Sequence, residues 1–433
     1  MLQRIRFTEL QLLIVPSAMT IVGLLTIYLA STRDLDWEWR DIWVSLAYMG
    51  VVFFISLWLS ATGFKGDQVI FPIVVCISGL GLLMIQRLAP DLNEIDPAAY
   101  GNLARNQIIY MTAGLAMLLG VCTFVRSLGW LRRYKYTWAF AAIAMMAATM
   151  VFGSEYYGAR LWINIGPFSL QPSEAAKVAM VVFLAGYLAE NRDLIASNYQ
   201  VGPFRLPPLP YLMPMLVMWG FSILIVVLQN DLGTALLFFG VFLSMLYLAS
   251  GRLLYVIVGL ATFAGAVYVA YNLFDRIGVR VQGWLNPWAD PLDTGFQPVQ
   301  SDFALASGKV FGTGLAQGHP TFITQVHSDY IFSAIGEELG LMGTLVVLLL
   351  YLLLVFRGFY IALMARDSFG RFLAAGLTTI LALQALIIIG GTIRMIPLTG
   401  ITLPFISAGG SSLLTNFIII GLLMRISDPT VTR

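Results

Sequence analysis

Three carboxylates, Asp329, Glu337 and Glu338, lie within ten residues at the start of an apolar run. A charged side chain at the centre of a membrane helix costs about 2.5–3.5 kcal/mol on insertion scales, so such residues need a structural or chemical reason. On a helical projection, Glu337 lies near the Asp329 face and Glu338 points away. This face could line a cavity, or its carboxylates could form ion pairs with another helix. It also carries four small residues, Ser333, Gly336, Gly340 and Gly343.

A second group of charges surrounds a predicted helix start at Pro172, a residue that the first helical turn tolerates well. Glu174 suits the positive end of the helix dipole, and Lys177 follows one turn later. The two charges could simply neutralise each other at i,i+3. Alternatively, a cation beside free helix N–H groups is an arrangement that binds phosphate. Arg160 precedes this helix in the same block, Gly158 to Lys177.

Three further polar motifs have structural readings beside functional ones. Asp231 is predicted to cap a helix, which alone would explain it. The small residues of 400–412, including Ser411 and Ser412, favour close helix packing or leave room for a headgroup. The glycine-rich segment 308–318 contains Lys309 but lacks Walker-type spacing, so it is a weak phosphate signal.

The composition defines the class of protein. The chain has 433 residues, of which 59% are hydrophobic and 11% charged, whereas soluble globular proteins carry roughly 25% charged residues. The sequence therefore predicts a polytopic membrane protein. A net charge of +2 gives no indication of nucleic-acid binding. Cys76 and Cys122 lie in apolar runs, which argues against a disulfide framework.

Twelve apolar runs are long enough to span a bilayer, which predicts an all-α fold. Basic residues concentrate in alternate gaps and near both ends, so both termini are expected to be cytoplasmic. The long segment of about 273–328 would then face outward, together with all the polar motifs. This arrangement suits an anionic, lipid-linked substrate presented from the outer leaflet. The predicted spans are 10–30, 42–60, 68–86, 107–124, 136–152, 173–189, 211–228, 232–249, 253–272, 330–356, 372–393 and 404–424.

These motifs, in this order, resemble the SEDS family of shape, elongation, division and sporulation proteins, which includes RodA and FtsW. The resemblance runs from about Gly66 to Ser427 and includes Trp284 to Pro291 and His327 to Gly340. It implies a ten-helix core over 63–433 and an extra two-helix segment over 1–62. The extra segment carries no motif, and we expect it to be dispensable for chemistry.

The resemblance also implies an activity, in which a bacterial peptidoglycan glycosyltransferase polymerises lipid II outside the cytoplasmic membrane. Asp329 corresponds to the family's essential aspartate and would be the general base of an inverting transfer that releases undecaprenyl pyrophosphate. A class B penicillin-binding protein would supply transpeptidation. A divalent cation such as Mg²⁺ or Mn²⁺ could neutralise leaving-group charge, with Asp329 and His327 as candidate ligands. The predicted substrate-binding residues are Lys177, Arg160, Glu174, Lys309, Ser411, Ser412 and Glu337.

The chain departs from the family pattern at several positions, including Thr324-Gln325, Leu161, Asn230 and Ala408. The sequence does not distinguish a role in elongation from one in division or sporulation. Two other functions stay open at this stage, a flippase for the lipid-linked precursor and a non-catalytic scaffold. A flippase would need polar residues along a path through the bilayer, whereas most predicted spans lack a charge near the midplane.

Overall fold

The computed structural model describes residues 6–29, 39–156, 159–166, 168–196, 199–201, 204–206, 209–229, 231–273 and 275–430. Most of these residues are helical, because long apolar runs in a bilayer must satisfy their backbone hydrogen bonds internally. The helices are α1 (Phe7–Leu12), α2 (Ile14–Leu29), α3 (Trp39–Ala61), α4 (Ile70–Ile95), α5 (Pro97–Tyr100), α6 (Leu103–Phe124), α7 (Gly129–Arg133), α8 (Lys135–Phe152), α9 (Pro172–Ala196), α10 (Leu209–Leu228), α11 (Leu232–Ser250), α12 (Leu253–Leu273), α13 (Asp275–Leu285), α14 (Phe296–Gly308), α15 (Ile331–Met364), α16 (Ser368–Thr392) and α17 (Gly410–Ser427).

Each predicted span overlaps a helix, although the last helix begins at Gly410 and not at residue 404, and the chain is a multi-pass membrane protein. Among the described residues, 10 helices are long and apolar enough to cross a membrane. Leu46–Ala61 in α3 and Leu253–Val269 in α12 are shorter apolar helices. The total of twelve spans and the cytoplasmic placement of both termini stay predictions.

The all-α prediction needs correction in the connections, where short strands form two small antiparallel sheets. Strands β1 (Ser154–Tyr156), β2 (Ala159–Ile165) and β3 (Phe168–Leu170) form one sheet in that order. Strands β4 (Tyr199–Val201) and β5 (Phe204–Leu206) form the other. Hairpins of this kind satisfy backbone groups outside helices, and Gly166 at the β2–β3 turn has a φ of +61° that favours glycine.

The long segment of about 273–328, for which no element was predicted, contains regular secondary structure. This region contains α13 and α14 together with two 3₁₀ turns, Pro287–Ala289 and Pro320–Phe322. Helix α13 was not predicted, although Ile277, Val281, Trp284 and Leu285 recur at the spacing of one face of an amphipathic helix, which was the available signal.

The chain divides into two compact units. The first contains Met1–Phe124, Arg276–Arg357 and Gln384–Met424, and the second contains Val125–Asp275, Gly358–Leu383 and Arg425–Arg433. In the first unit α4 is mostly buried and packs against α2 and α6. In the second unit α9 packs against α8, α10 and α11.

The N-terminal segment is joined to the start of α4 by a buried arginine. Arg6 is 2% exposed, and its guanidinium donates to the carbonyl oxygens of Phe64 (3.2 Å), Gly66 (2.9 Å) and Asp67 (2.6 Å). The same side chain forms an ion pair of 2.5 Å with buried Glu9. The first helices are therefore packed into the first unit, even though they carry no motif.

Helix α15 is broken at Gly340, whose φ of 67° and ψ of −166° are not helical. A Cβ atom at this position would lie 2.3 Å from the backbone nitrogen of Gly312, so only glycine fits. The earlier projection of α15 as one continuous face is therefore wrong beyond this residue. The segment 309–314 satisfies the backbone groups that the break exposes. The bonds are Thr313 N to Glu337 O (2.9 Å), Gly314 N to Glu338 O (3.0 Å), Leu341 N to Lys309 O (3.0 Å) and Met342 N to Val310 O (3.1 Å).

Candidate active site

Asp329 lies in a tight turn immediately before α15, and its backbone is held from both sides. The Gln325 carbonyl accepts hydrogen bonds from the N–H groups of Ser328 (3.2 Å), Asp329 (3.1 Å) and Tyr330 (3.2 Å). The Asp329 carbonyl accepts a bond from the Thr392 hydroxyl at the end of α16 (3.4 Å). The carboxylate is thus presented by a fixed turn rather than by the helix itself.

The predicted motif at 400–412 meets this turn. Ala408 N donates to the carbonyl of His327 (2.9 Å), and the Ser407 hydroxyl donates to the carbonyl of Ser328 (2.6 Å). Two motifs whose bonded serines lie 79 residues apart in the sequence therefore form one surface.

Ser412 supports this surface from inside the first unit. Its hydroxyl oxygen lies 2.7 Å from that of Thr402, and it accepts bonds from Asn416 (3.2 Å) and Gln384 (3.4 Å). Ser411 and Ser412 are both buried. The structure therefore gives Ser412 a role in positioning the 400–408 segment, while substrate contact by these serines stays a prediction.

Asp329 lines a cavity of about 230 Å³ within the first unit. Side chains from α13, α14, the 327–330 turn and the segment after α16 contribute to its wall. The lining residues with polar or aromatic side chains are Arg280, Trp284, Thr294, Gln297, Asp329, Tyr330 and Arg394.

Burial raises the pKa of Asp329 to about 6, although the Arg280 charge and a hydrogen bond from Ser328 both oppose this shift. At neutral pH the carboxylate is therefore mostly ionised, yet it takes up a proton more readily than an exposed aspartate. This is the property that a general base needs. Burial lowers the pKa of neighbouring His327 to about 4, so its imidazole is neutral at pH 7.

The second arginine of the cavity is held in place by its neighbours. Arg394 has a φ of 60°, which is uncommon for a residue with a side chain. Its guanidinium pairs with Asp302 at 2.5 Å and donates to the carbonyl of Trp284 (3.3 Å). The Trp284 indole N–H in turn donates to the carbonyl of Arg394 (2.9 Å). These two residues therefore fix each other in the cavity wall.

Glu337 and Lys309 lie along the broken part of α15. The Glu337 carboxylate accepts a hydrogen bond from the backbone of His319 (2.7 Å), and Lys309 is exposed at the end of α14. The N–H groups of Thr313 and Gly314 are bonded to α15 carbonyls. These amides are already used within the protein, which gives the glycine-rich segment a structural role in place of a phosphate cradle.

A buried ion cluster centred on Arg87 was not predicted from the sequence. This guanidinium lies 2.7 Å from the carboxylate of Glu338 and 2.7 Å from that of Asp91, and it donates to the carbonyl of Gly318 (2.8 Å). The predicted span ended at residue 86, whereas α4 continues to Ile95. The i,i+4 spacing of Arg87 and Asp91 was the available signal.

The remaining predicted residues belong to the second unit. Pro172 is confirmed as the first residue of α9, and Lys177 pairs with Glu174 at 2.5 Å. The Lys177 side chain is only 2% exposed and that of Glu174 is 13% exposed. The pair at i,i+3 is thus formed and largely buried. Arg160 is exposed on β2.

Asp231 is confirmed as the N-cap of α11, because its carboxylate accepts bonds from the N–H (3.0 Å) and the hydroxyl (2.6 Å) of Thr234. We expect Asp231→Ala to lower the free energy of unfolding by about 0.5–2 kcal/mol, since it leaves helix N–H groups without an acceptor. Asp231→Asn keeps an acceptor and should retain most of the stability. Thermal unfolding of the purified variants measures both. Equal losses in the two would show that the charge, and not the cap, matters.

Residues 67–431 match the sequence profile of the FtsW/RodA/SpoVE family of cell cycle proteins. The peptidoglycan glycosyltransferase RodA of Mycobacterium tuberculosis (strain H37Rv) is 38% identical over 427 residues, which cover 98% of this chain and 90% of that protein. Stage V sporulation protein E of Bacillus subtilis is 40% identical over 273 residues, which cover 62% and 72% of the two chains. The chain therefore belongs to the FtsW/RodA/SpoVE family, and it is an enzyme of the peptidoglycan glycosyltransferase class.

Solved structures show the same fold. A chain of a peptidoglycan synthase complex that coordinates polymerization and crosslinking superposes with a TM-score of 0.67 and 28% identity, covering 84% of this chain and 98% of the other. An aspartate-to-alanine mutant of the rod shape determining protein RodA from Thermus thermophilus gives a TM-score of 0.60 with 25% identity, covering 84% and 97%. The similarity to the mycobacterial protein includes most of the N-terminal segment that the family profile leaves out.

Proposed function

We propose that this enzyme polymerises lipid II into glycan strands, with Asp329 as the general base. The observation that carries the proposal is the placement of Asp329 in a cavity where burial raises its pKa to about 6. Family membership supplies the reaction class, and the cavity supplies a group able to perform its proton transfer.

In the proposed reaction, a carboxylate oxygen of Asp329 takes the proton from the 4-hydroxyl of an acceptor GlcNAc. The oxygen of this 4-hydroxyl attacks the anomeric carbon of a donor MurNAc, and the bond to undecaprenyl pyrophosphate breaks with its electron pair on the leaving oxygen. A single displacement inverts the configuration at the anomeric carbon. Burial lowers the pKa of His327 to about 4, below the pKa of about 6 of Asp329, so Asp329 is the stronger base of this turn.

The leaving pyrophosphate needs positive charge, and we assign this role to Lys177 with Arg160 as a second cation. The burial of Lys177 and its pairing with Glu174 favour a fixed ammonium group rather than a mobile one. In this proposal Glu174 orients the lysine, while Lys309, Ser411, Ser412 and Glu337 stay candidate substrate contacts.

Lys177→Met should reduce both polymerisation and thermal stability, because it leaves the Glu174 carboxylate without its partner in a largely buried position. The double variant Glu174→Gln with Lys177→Met removes both charges and should recover stability without recovering polymerisation. Melting temperatures and polymer yield, measured on the same preparations, separate the two effects. Full recovery of activity in the double variant would make the pair purely structural.

In the proposed site, Asp329 and His327 would supply at most two ligands of a divalent cation, and the others would come from water or substrate phosphates. Among the described residues no group of three or more histidine, cysteine, aspartate or glutamate side chains could hold a metal ion. The His327 ring packs edge-on against Tyr100 at 5.2 Å, and its Nδ1 atom has no hydrogen-bond partner. We therefore derive no step of the reaction through a metal.

We place the reaction at the outer face of the bacterial cytoplasmic membrane, with twelve spans and both termini in the cytoplasm. A class B penicillin-binding protein is the proposed partner, because glycan strands require transpeptidation to become a wall. The similarity to a chain of a peptidoglycan synthase complex supports such a partnership.

The direct test incubates purified full-length protein, with and without a co-expressed partner, with lipid II and sizes the products on a gel. A ladder of glycan strands is the expected result. Transport of lipid II across vesicles without any polymer would instead identify a flippase. The absence of both activities in a folded, partner-bound protein would identify a scaffold.

A further inference from the structure

We propose that the cavity beside Asp329 is a subsite for one uncharged sugar ring, the terminal sugar of the glycan acceptor, with Trp284 as its aromatic wall. This inference rests on the proposed function and adds to it the residues that would position the acceptor. It derives from four features of the cavity: its size, its fixed indole ring, its polar groups and its charge balance.

The cavity has a volume of about 230 Å³. Pockets that bury drug-sized ligands span about 300–1,000 Å³, so this one accommodates a smaller group. A single pyranose ring is such a group, whereas a lipid chain or a whole disaccharide-peptide is not. The cavity also contains the proposed base, so the ring that enters it is the one that carries the reacting hydroxyl.

Trp284 provides a rigid wall because two hydrogen bonds join it to Arg394. The indole N–H donates to the Arg394 carbonyl at 2.9 Å, and the Arg394 guanidinium donates to the Trp284 carbonyl at 3.3 Å. One face of a pyranose carries mainly C–H groups and packs on the electron-rich face of an aromatic ring. A fixed indole lowers the entropy cost of this contact, because no side chain has to be ordered on binding.

The polar groups around the indole suit hydroxyl groups. Arg280 supplies N–H donors, Gln297 supplies both a donor and an acceptor, and Thr294 supplies a hydroxyl that can do either. Asp329 then accepts from the hydroxyl that reacts. An aromatic wall with a few convergent polar groups is the usual composition of a small-ligand site.

The charges of the cavity argue for a neutral ligand. Arg394 is neutralised by Asp302 at 2.5 Å, and Arg280 exerts its charge on Asp329. Two guanidinium groups thus face two carboxylates. A diphosphate in this cavity would meet the Asp329 carboxylate while one of the two cations is already paired. A sugar ring can use the same groups without disturbing this balance.

The experiment measures binding without catalysis. Purified wild-type protein is titrated with the soluble disaccharide GlcNAc–MurNAc, which carries no diphosphate and so cannot act as a donor. Saturation-transfer NMR reports which sugar protons contact the protein. We expect the strongest transfer at the GlcNAc ring and no competition from inorganic pyrophosphate.

Variants assign the contact to the cavity. Trp284→Leu should weaken disaccharide binding at least about fivefold, as expected for the loss of an aromatic contact. Trp288→Leu is the matched control, because Trp288 is 54% exposed nearby and does not line the cavity. Trp284→Phe keeps an aromatic face. Gln297→Leu removes a polar group of the cavity and leaves the indole of Trp284 in place. These two variants test the proposal if the leucine variant at 284 does not fold.

Unchanged binding in a folded Trp284→Leu variant would overturn the subsite, as would unchanged binding in Gln297→Leu if Trp284→Leu does not fold. Competition by pyrophosphate that disappears in Arg280→Gln would also overturn it, by assigning the cavity to a diphosphate.

Wild-type protein that polymerises lipid II but gives no disaccharide signal would refute the subsite and leave the proposed function standing. Disaccharide binding without polymerisation would refute the function instead. In a polymerising enzyme, Trp284→Phe should raise the KM for acceptor more than it lowers kcat.

Discussion

Asp329→Asn is expected to abolish glycan polymerisation while the protein still folds and inserts. The carboxamide has nearly the same shape as the carboxylate, but it cannot accept the proton of the acceptor hydroxyl. Positioned general bases contribute about 10²–10⁴ in rate, so the loss should be at least about a hundredfold. The measurement is polymer yield from lipid II at matched amounts of folded protein.

Asp293→Asn serves as the matched control, because Asp293 is exposed and does not line the cavity. It should polymerise at the wild-type rate. Near-normal polymer from Asp329→Asn would remove the base assignment and favour the scaffold hypothesis. The folded state of each variant is checked by its thermal transition, so that a loss of activity is not confused with a loss of protein.

The pH dependence of the wild-type rate gives an independent check on the same residue. A base must be ionised to accept a proton, and burial raises the pKa of Asp329 to about 6. The rate should therefore rise as the pH increases through about 6 and level off above it. A rate that stays constant from pH 5 to 8 would contradict the assignment, provided that the protein remains folded across this range.

Arg87→Met is expected to prevent stable folding. Arg87 and Glu338 are 4% and 0% exposed, and the variant would leave two buried carboxylates, Glu338 and Asp91, without their cation. Breaking a buried ion pair by removing one partner typically costs about 3–5 kcal/mol. The expected readouts are a low yield of monodisperse protein in detergent and a clearly lower melting temperature.

Arg357→Met is the matched control for this prediction. Arg357 also pairs with a carboxylate, Asp67 at 2.5 Å, but its side chain is 27% exposed, and Asp67 would keep hydrogen bonds from the N–H groups of Val69 (2.8 Å) and Ile70 (2.9 Å). Its effect should be smaller. The double variant Arg87→Met with Glu338→Gln should recover part of the stability. If Arg87→Met matches Arg357→Met in stability, the cluster contributes no more than an ordinary partly exposed pair.

The Arg87 cluster is connected to the candidate site through α15. Glu338 accepts a hydrogen bond from the backbone of Ala316 (3.1 Å), and Arg87 donates to the carbonyl of Gly318. The cluster thus holds the segment 309–318 against α15 next to the break at Gly340. Destabilising it should loosen the segment that leads into the 327–330 turn, which carries the proposed base.

The sequence by itself determined the features that depend on neighbouring residues. The length of each apolar run predicted a membrane helix, because a bilayer imposes one length on every span. Pro172 and Asp231 predicted helix starts correctly, because a cap or a first-turn proline acts within three or four residues. The ordered motifs around Asp329 identified the family. The short hairpins escaped prediction, because three to seven residues carry too little periodicity to separate a strand from a loop.

Only the tertiary structure decided which charges meet. Arg280 and Arg394 reach the cavity of Asp329 from α13 and from the segment after α16, and Glu338 pairs with Arg87 across 251 residues of sequence. A charge in the sequence does not identify its partner, since any of the chain's 25 basic residues could have been chosen. Which basic residue pairs with a given carboxylate depends on how the helices pack. The sequence does not predict this packing, because the apolar faces of the helices are nearly interchangeable. For the same reason the indole of Trp284 became a candidate sugar wall only once the fold placed it beside Asp329.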